Sequence, residues 1–267
     1  MDTLQIGTFT RKVPGTWNEL TGKRLLRLLP EVYAPARPDR QLRLLARLSG
    51  YPLPLLAGLE LDVLAQLLPL TDWLASERHL LTKQPLPTLQ LRRGGPTFHG
   101  PRDSFRNLLF GEFIFADTFF VLYCLRGRAE HLDQLLATLY RPARAGASPA
   151  DADWNGDLRH AFNEHHLDTR APLMARVPAA ERLAVLTWYR GCRTQLAQEF
   201  PDVFEAAEQD TPKPTSAPDW SRVLRKLSGG AFGPVAQTAG QPARLVLAEL
   251  QDAALEYNRL KANLPHA

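Results

Sequence analysis

Cysteine is scarce in this chain, and so is almost every feature from which an activity is usually read. Two cysteines, Cys124 and Cys192, stand in 267 residues. That excludes a disulfide framework. Both fall in apolar, helix-like segments, so both thiols are expected to be buried and unreactive. The start, Met1-Asp2-Thr3-Leu4-Gln5, has no basic region followed by an apolar one. No signal peptide is expected there, and a cytoplasmic setting is.

Long hydrophobic runs are missing as well. The most apolar stretch, Leu108 to Leu125, is barely long enough to cross a bilayer and carries Glu112 and Asp117. Two carboxylates inside a span are costly, so a buried helix of a packed core is expected and a membrane partner is not. Lysine is rare: 6 of the 32 basic residues, the rest being arginine, against a net charge of +4. The arginines are scattered among Asp and Glu rather than gathered into a dense run, which is not the pattern of a nucleic-acid arm. There is no G-x-S-x-G. Gly94-Gly95 and Gly229-Gly230 lack the spacing of a phosphate-binding loop.

What is present points to helix. Hydrophobic residues make up 45% of the chain and charged residues 22%, ordinary values for a globular protein with a core. Leucine dominates the apolar set while Val and Ile are sparse, a bias toward helix because unbranched or γ-branched side chains lose less rotamer freedom there. A mainly α fold is therefore expected: a multi-helix, bundle-like core with a small two-stranded β appendage. The strands of that appendage are Leu4–Thr10, by alternation, and the Leu89 to Leu91 region, which could pair with it.

Helices are predicted after Thr16 or Thr21 up to about Pro30, over Asp39–Ser49 with Gly50 as its stop, and over Glu60–Ser76. Further helices are predicted over Phe110–Leu125, over Glu130–Tyr140, near Asn163, and from Pro178 to Phe200. Arg141–Ala150 reads as a surface loop. Residues 205–218 hold three prolines and no large apolar side chain, the composition of a linker. The predicted organisation is thus a core over 1–204, a linker over 205–218 and a C-terminal two-helix module over 219–267. The last helix, Pro242 to about Lys261, carries the apolar stripe Leu247, Leu250, Ala254 and Tyr257. With Trp220 and Leu245, the residues Leu247, Leu250 and Tyr257 are the candidate partner-binding set; two helices bury too little to stand alone, so the stripe must dock on the protein's own core, on another copy or on a partner helix.

Three constellations could carry other chemistry. Asp151, Asp153, Asn155, Gly156 and Asp157 match the first half of a calcium loop. The twelfth position, which needs a bidentate carboxylate, is Phe162, and Glu164 comes two residues late. His160, Glu164, His165 and His166 do not have the H-E-x-x-H spacing and miss its reverse, H-x-x-E-H, by one residue, and adjacent histidines on a helix point about 100° apart. Neither is expected to hold a metal, and no cofactor is expected; a metal-dependent enzyme around 151–166 is the more remote alternative. Arg40, Arg43 and Arg47 share a helix face that could touch phosphates, so a nucleic-acid-associated protein is the nearer alternative, although such a face is more often the solvated side of an amphipathic helix. Glu112 and Asp117 are five residues apart and do not stack, so each is expected to meet an arginine or a backbone amide rather than to work as an acid–base pair.

Several phrases form a pattern when taken together. They are Trp17-Asn18-Glu19-Leu20-Thr21 followed by Leu25, Phe110-Gly111-Glu112-Phe113 with Ala116-Asp117, and Leu186-Thr187-Trp188-Tyr189-Arg190-Gly191-Cys192. The last is Gly229-Gly230-Ala231-Phe232-Gly233 leading into the final helix. This order resembles proteins of phage-tail regions of Bacteroidetes type, and the C-terminal part resembles phage tail assembly chaperones. The resemblance implies a non-enzymatic assembly protein, a tape-measure or other coiled-coil protein as its partner, and no catalytic residues.

Overall fold

The computed structural model describes residues 1–6, 8–76, 78–92, 94–148, 150, 156–209, 220–228 and 233–262. In chain order the strands and helices are β1 (Asp2–Ile6), β2 (Phe9–Val13), α1 (Gly22–Val32), α2 (Arg40–Ser49), α3 (Leu53–Ala57), α4 (Leu61–Leu67), β3 (Thr88–Gln90) and β4 (Thr97–His99). Then come α5 (Phe110–Arg126), α6 (Ala129–Leu139), β5 (Arg141–Pro142), α7 (Leu167–Met174), α8 (Ala179–Glu199) and α9 (Pro201–Gln209). The last three are α10 (Trp220–Leu227), α11 (Val235–Ala239) and α12 (Ala243–Ala262). The protein is mainly α. No helix among the described residues is long and apolar enough to cross a membrane.

The chain forms two compact units, Met1–Leu86 with Pro178–Gly191, and Pro87–Val177 with Cys192–Ala267. This is not the division that the linker composition suggests. Helix α9 runs through the first five residues of the expected linker, because Glu-Ala-Ala-Glu-Gln is a strong helix former whatever its lack of large side chains. Residues 210–218 lie outside those described. The C-terminal helices belong to the same unit as α5.

In the first unit, β1 and β2 form an antiparallel hairpin with Ile6 opposite Phe9. The strand expected over Leu4–Thr10 is therefore two strands, and its partner is its own continuation rather than the Leu89 region. Local closure costs less chain entropy than pairing across eighty residues. The hydroxyl of Tyr51 donates to the Phe9 carbonyl at 2.6 Å, tying the hairpin to the start of α3. Helix α2 is capped by Gly50 in the left-handed region at φ 74°, where a side chain would be strained. Helix α1 passes through Pro30 and ends two residues later, about half a turn beyond the expected stop. Thr16 makes no side-chain cap; Glu19 instead accepts the Gly15 N–H at 2.9 Å.

The Trp17-Asn18 phrase meets the Trp188–Gly191 phrase through residues 81–83. The Asn18 side-chain oxygen Oδ1 accepts the backbone N–H of Thr82 at 3.1 Å and of Lys83 at 3.0 Å. Trp188 Nε1 donates to the Thr82 carbonyl at 3.1 Å, and Tyr33 and Thr187 hydroxyls lie 3.0 Å apart. Gly191 is the close approach in this arrangement, since a Cβ there would sit 2.4 Å from the Leu81 carbonyl oxygen and 2.8 Å from its nitrogen. Alanine would gain about 1 kcal/mol in helix propensity. The obstacle is backbone, however, so overpacking of up to about 3 kcal/mol outweighs that gain. Gly191→Ala is expected to lower stability by about 1–2 kcal/mol, read as a lower urea midpoint.

In the second unit, β3, β4 and β5 make an antiparallel sheet in that order, with Leu89 opposite Phe98 and Phe98 opposite Pro142. Helix α5 packs against α6, and α6 against α7. Its start is stitched to that of α12: Phe110 N–H donates to the Gln241 carbonyl and Ala243 N–H to the Leu108 carbonyl, each at 2.8 Å. Ser104 and Phe105, just before it, hold left-handed backbone at φ 52° and 58°. Arg244 steadies that turn by donating to the Ser104 carbonyl at 3.1 Å.

Candidate functional site

The chemistry of the second unit starts on α5, whose buried face carries Glu112 and Asp117, both fully shielded from solvent. Glu112 sits in the first turn of the helix and accepts the Leu109 N–H at 3.3 Å. Its other lone pairs face two guanidinia. Arg159 donates from Nη1 at 2.9 Å and from Nη2 at 3.2 Å, and Arg141 donates from Nη1. Asp157 completes the cluster, accepting from Arg159 Nε at 2.8 Å and from Nη2 at 2.7 Å.

Remaining donors go to carbonyls at the end of α6: Arg141 to Thr138 at 2.8 Å and Arg159 to Leu139 at 2.9 Å. Two carboxylates thus meet two arginines that are each about 1% exposed. Burial lowers the Arg141 pKa from its ordinary value, with the neighbouring Arg159 charge acting in the same sense against the pull of Glu112. At Arg159 burial acts the same way, but Glu112 and Asp157 together overcome it and the pKa is raised. Both stay protonated at neutral pH. All the acceptor positions of Glu112 are filled from within the protein, so none is left for a substrate. The expectation that this carboxylate meets arginine holds. The reading of Arg141 as part of a surface loop does not, because its guanidinium is drawn inward by Glu112.

Asp117, further along α5, is a second junction. It accepts from Arg193 Nε of α8 at 2.6 Å and from Trp220 Nε1 of α10 at 2.8 Å. The Arg193 guanidinium also lies 5.3 Å from the centroid of the Phe204 ring. The Trp220 ring meets Phe113 and Phe204 edge-on, at centroid distances of 5.2 and 5.5 Å.

The candidate partner-binding residues divide here. Trp220 and Leu247 are buried within their own unit, and so is Val246. They are packing residues, not a free face; an amphipathic stripe shows that something covers it, not what. Leu250 is half-buried, while Leu245 is 47% exposed and Tyr257 is 65% exposed. The cover on α12 runs out along its length. Gln251 is held by Asp202 of α9, accepting its backbone N–H at 3.1 Å, but every residue described from Leu255 to Leu260 is exposed.

The other sequence candidates are not gathered into a site. Arg40, Arg43 and Arg47 do share α2, but each is engaged: Arg43 with Asp39 at 2.6 Å, Arg47 with Glu31 at 3.3 Å, and Arg40 with the Val32 carbonyl at 2.7 Å. His160, Glu164, His165 and His166 are exposed or half-exposed, and no group of three or more metal-ligating side chains occurs among the described residues. Residues 151–155 of the calcium-like loop lie outside those described; Asp157, its last carboxylate, is committed to Arg159. Cys192 is buried, and burial raises its pKa. Cys124 is exposed, contrary to expectation, because it lies in the last turns of α5 where the helix leaves its cover. No protein-family model, curated protein or solved structure matches this chain.

Proposed function

We infer that the protein is a non-enzymatic assembly or interaction factor that uses the distal half of α12 to dock a helical partner. The observation that supports this is the change in cover along one helix. Val246 and Leu247 are shielded completely, whereas about two to four turns on, Leu255, Tyr257 and Leu260 are 40%, 65% and 62% exposed. An apolar helical surface in this state is suited to pairing with a second helix. A tail-assembly factor holding a tape-measure or other long coiled-coil protein in the cytoplasm is the form of this reading that agrees with the sequence phrases.

The test uses the full chain with Tyr257→Glu and Leu260→Glu together. Both positions are exposed, so the urea midpoint should stay within about 0.5 kcal/mol of the wild type. Affinity for the long coiled-coil protein encoded beside this gene should fall by about tenfold or more, as expected when a central apolar anchor is lost. Unchanged affinity would remove α12 as the docking face. Absence of any tape-measure or coiled-coil gene nearby would remove the assembly reading itself.

A further inference from the structure

The first unit holds a cleft of about 550 Å3 where the end of α1, the start of α2 and the 3-10 turn over Leu68–Ala75 come together. This lies within the roughly 300–1,000 Å3 typical of small-ligand sites. Its apolar wall includes Val32, Leu44 and Leu74, and its charged groups are Arg37, Arg40 and Asp72.

Arg40 is positioned by its own bond to the Val32 carbonyl, the last of α1. Its Nε is buried with no hydrogen-bond acceptor. A buried donor without an acceptor costs roughly 1–3 kcal/mol, so an acceptor that reaches it gains more than one meeting an exposed donor. The Arg37 side chain lines the same cleft and makes no hydrogen bond or ion pair with any described residue. The start of α2 adds partial positive charge, since the Asp39 carboxylate turns to Arg43 and does not cap the helix. Asp72, held by Gln41 Nε2 at 3.2 Å, places one negative charge at the same cleft.

We propose that this cleft binds a monoanionic carboxylate carried on an apolar body. The planar carboxylate matches the guanidinium forks of Arg37 and Arg40, and the apolar part lies against Val32, Leu44 and Leu74. With two guanidinia against one carboxylate the cleft has one positive charge to offer, and Asp72 repels a dianion such as a phosphate monoester. Two sources present this chemistry, a free aliphatic acid and the C-terminal carboxylate of a polypeptide ending in an apolar residue.

Calorimetric titration of the full chain decides the matter. The probes are octanoate, an acetylated tetrapeptide ending in leucine, the amide of that peptide, and phenyl phosphate. Saturable binding of at least one acid is expected, with the peptide amide weaker than the peptide acid by about tenfold. Arg37→Ala should weaken the bound acid by about tenfold while leaving the urea midpoint unchanged, because that side chain has no internal partner to lose. Tighter binding of the peptide acid than of octanoate assigns a chain terminus, and the reverse assigns a free acid. The proposal is overturned if neither acid saturates at millimolar concentration, if the amide or phenyl phosphate binds as well as the acids, or if Arg37→Ala binds unchanged.

Discussion

Glu112→Ala is expected to destabilise the protein by about 3–5 kcal/mol, the loss typical of removing one partner from a buried ion pair. The figure is large because two charges are stranded at once. Arg141 and Arg159 are both shielded from water, and among the described residues Asp157 is the carboxylate that would remain for them. Neither guanidinium can shed its proton to escape the cost, since arginine stays charged across the accessible pH range. Glu112→Gln keeps the volume but replaces acceptor oxygen with donor nitrogen toward the same arginines, so it should recover little of the loss. Chemical denaturation gives the comparison directly. A change below about 1 kcal/mol in both variants would show that the arginines find other acceptors and that the cluster is not what joins α5 to the end of α6.

Trp220→Ala should cost about 3–5 kcal/mol as well, by a different mechanism. Here the loss is a large ring from a cluster with Phe113 and Phe204, plus the bond to Asp117. Trp220→Phe separates the two parts. It keeps most of the ring contact and gives up the hydrogen bond, so about 1–3 kcal/mol of the effect should persist. Hydrogen exchange then locates the damage. In Trp220→Ala the amides of α10 should lose protection more than those of α6, because among the described side chains of α10 Trp220 is the buried one, while α6 is buried along most of its length. Equal loss in both helices would mean that the tryptophan stabilises the whole unit rather than anchoring one helix.

The helices were legible where composition and punctuation agree. Helix α5 was readable from its Phe-rich run, and the structure ends it at Gly127, which adopts the left-handed region at φ 65°. The pairing of its two carboxylates with arginine was legible too, because a charge on an apolar helix has few other ways to be tolerated. Which arginines do it was not. Arg141 and Arg159 come from loop-like sequence 29 and 47 residues away, and no local pattern distinguishes them from the other arginines. The strand pairing failed for a related reason. Alternation marks a strand but not its partner, and the two-residue interval between Ile6 and Phe9 carries the turn signal that separates one strand from two. In the C-terminal region the stripe on α12 was read correctly as apolar. Its cover was left open between the core and a partner, since periodicity reports a face and is silent on whether the same chain supplies the neighbour.

The interleaved order of the two units bears on how the protein is made. The first unit begins at Met1 but is completed only by Pro178–Gly191, so the whole segment from Pro87 to Val177 is translated in between. At roughly 5–20 residues per second, the pause between Leu86 and Gly191 lasts on the order of 5–20 s. During it the backbone groups of Thr82 and the hydroxyl of Tyr33 wait for Trp188 and Thr187. Residues Met1–Leu86 therefore leave the ribosome as an incomplete surface, and birth order alone makes the start of α8 the last piece that they receive.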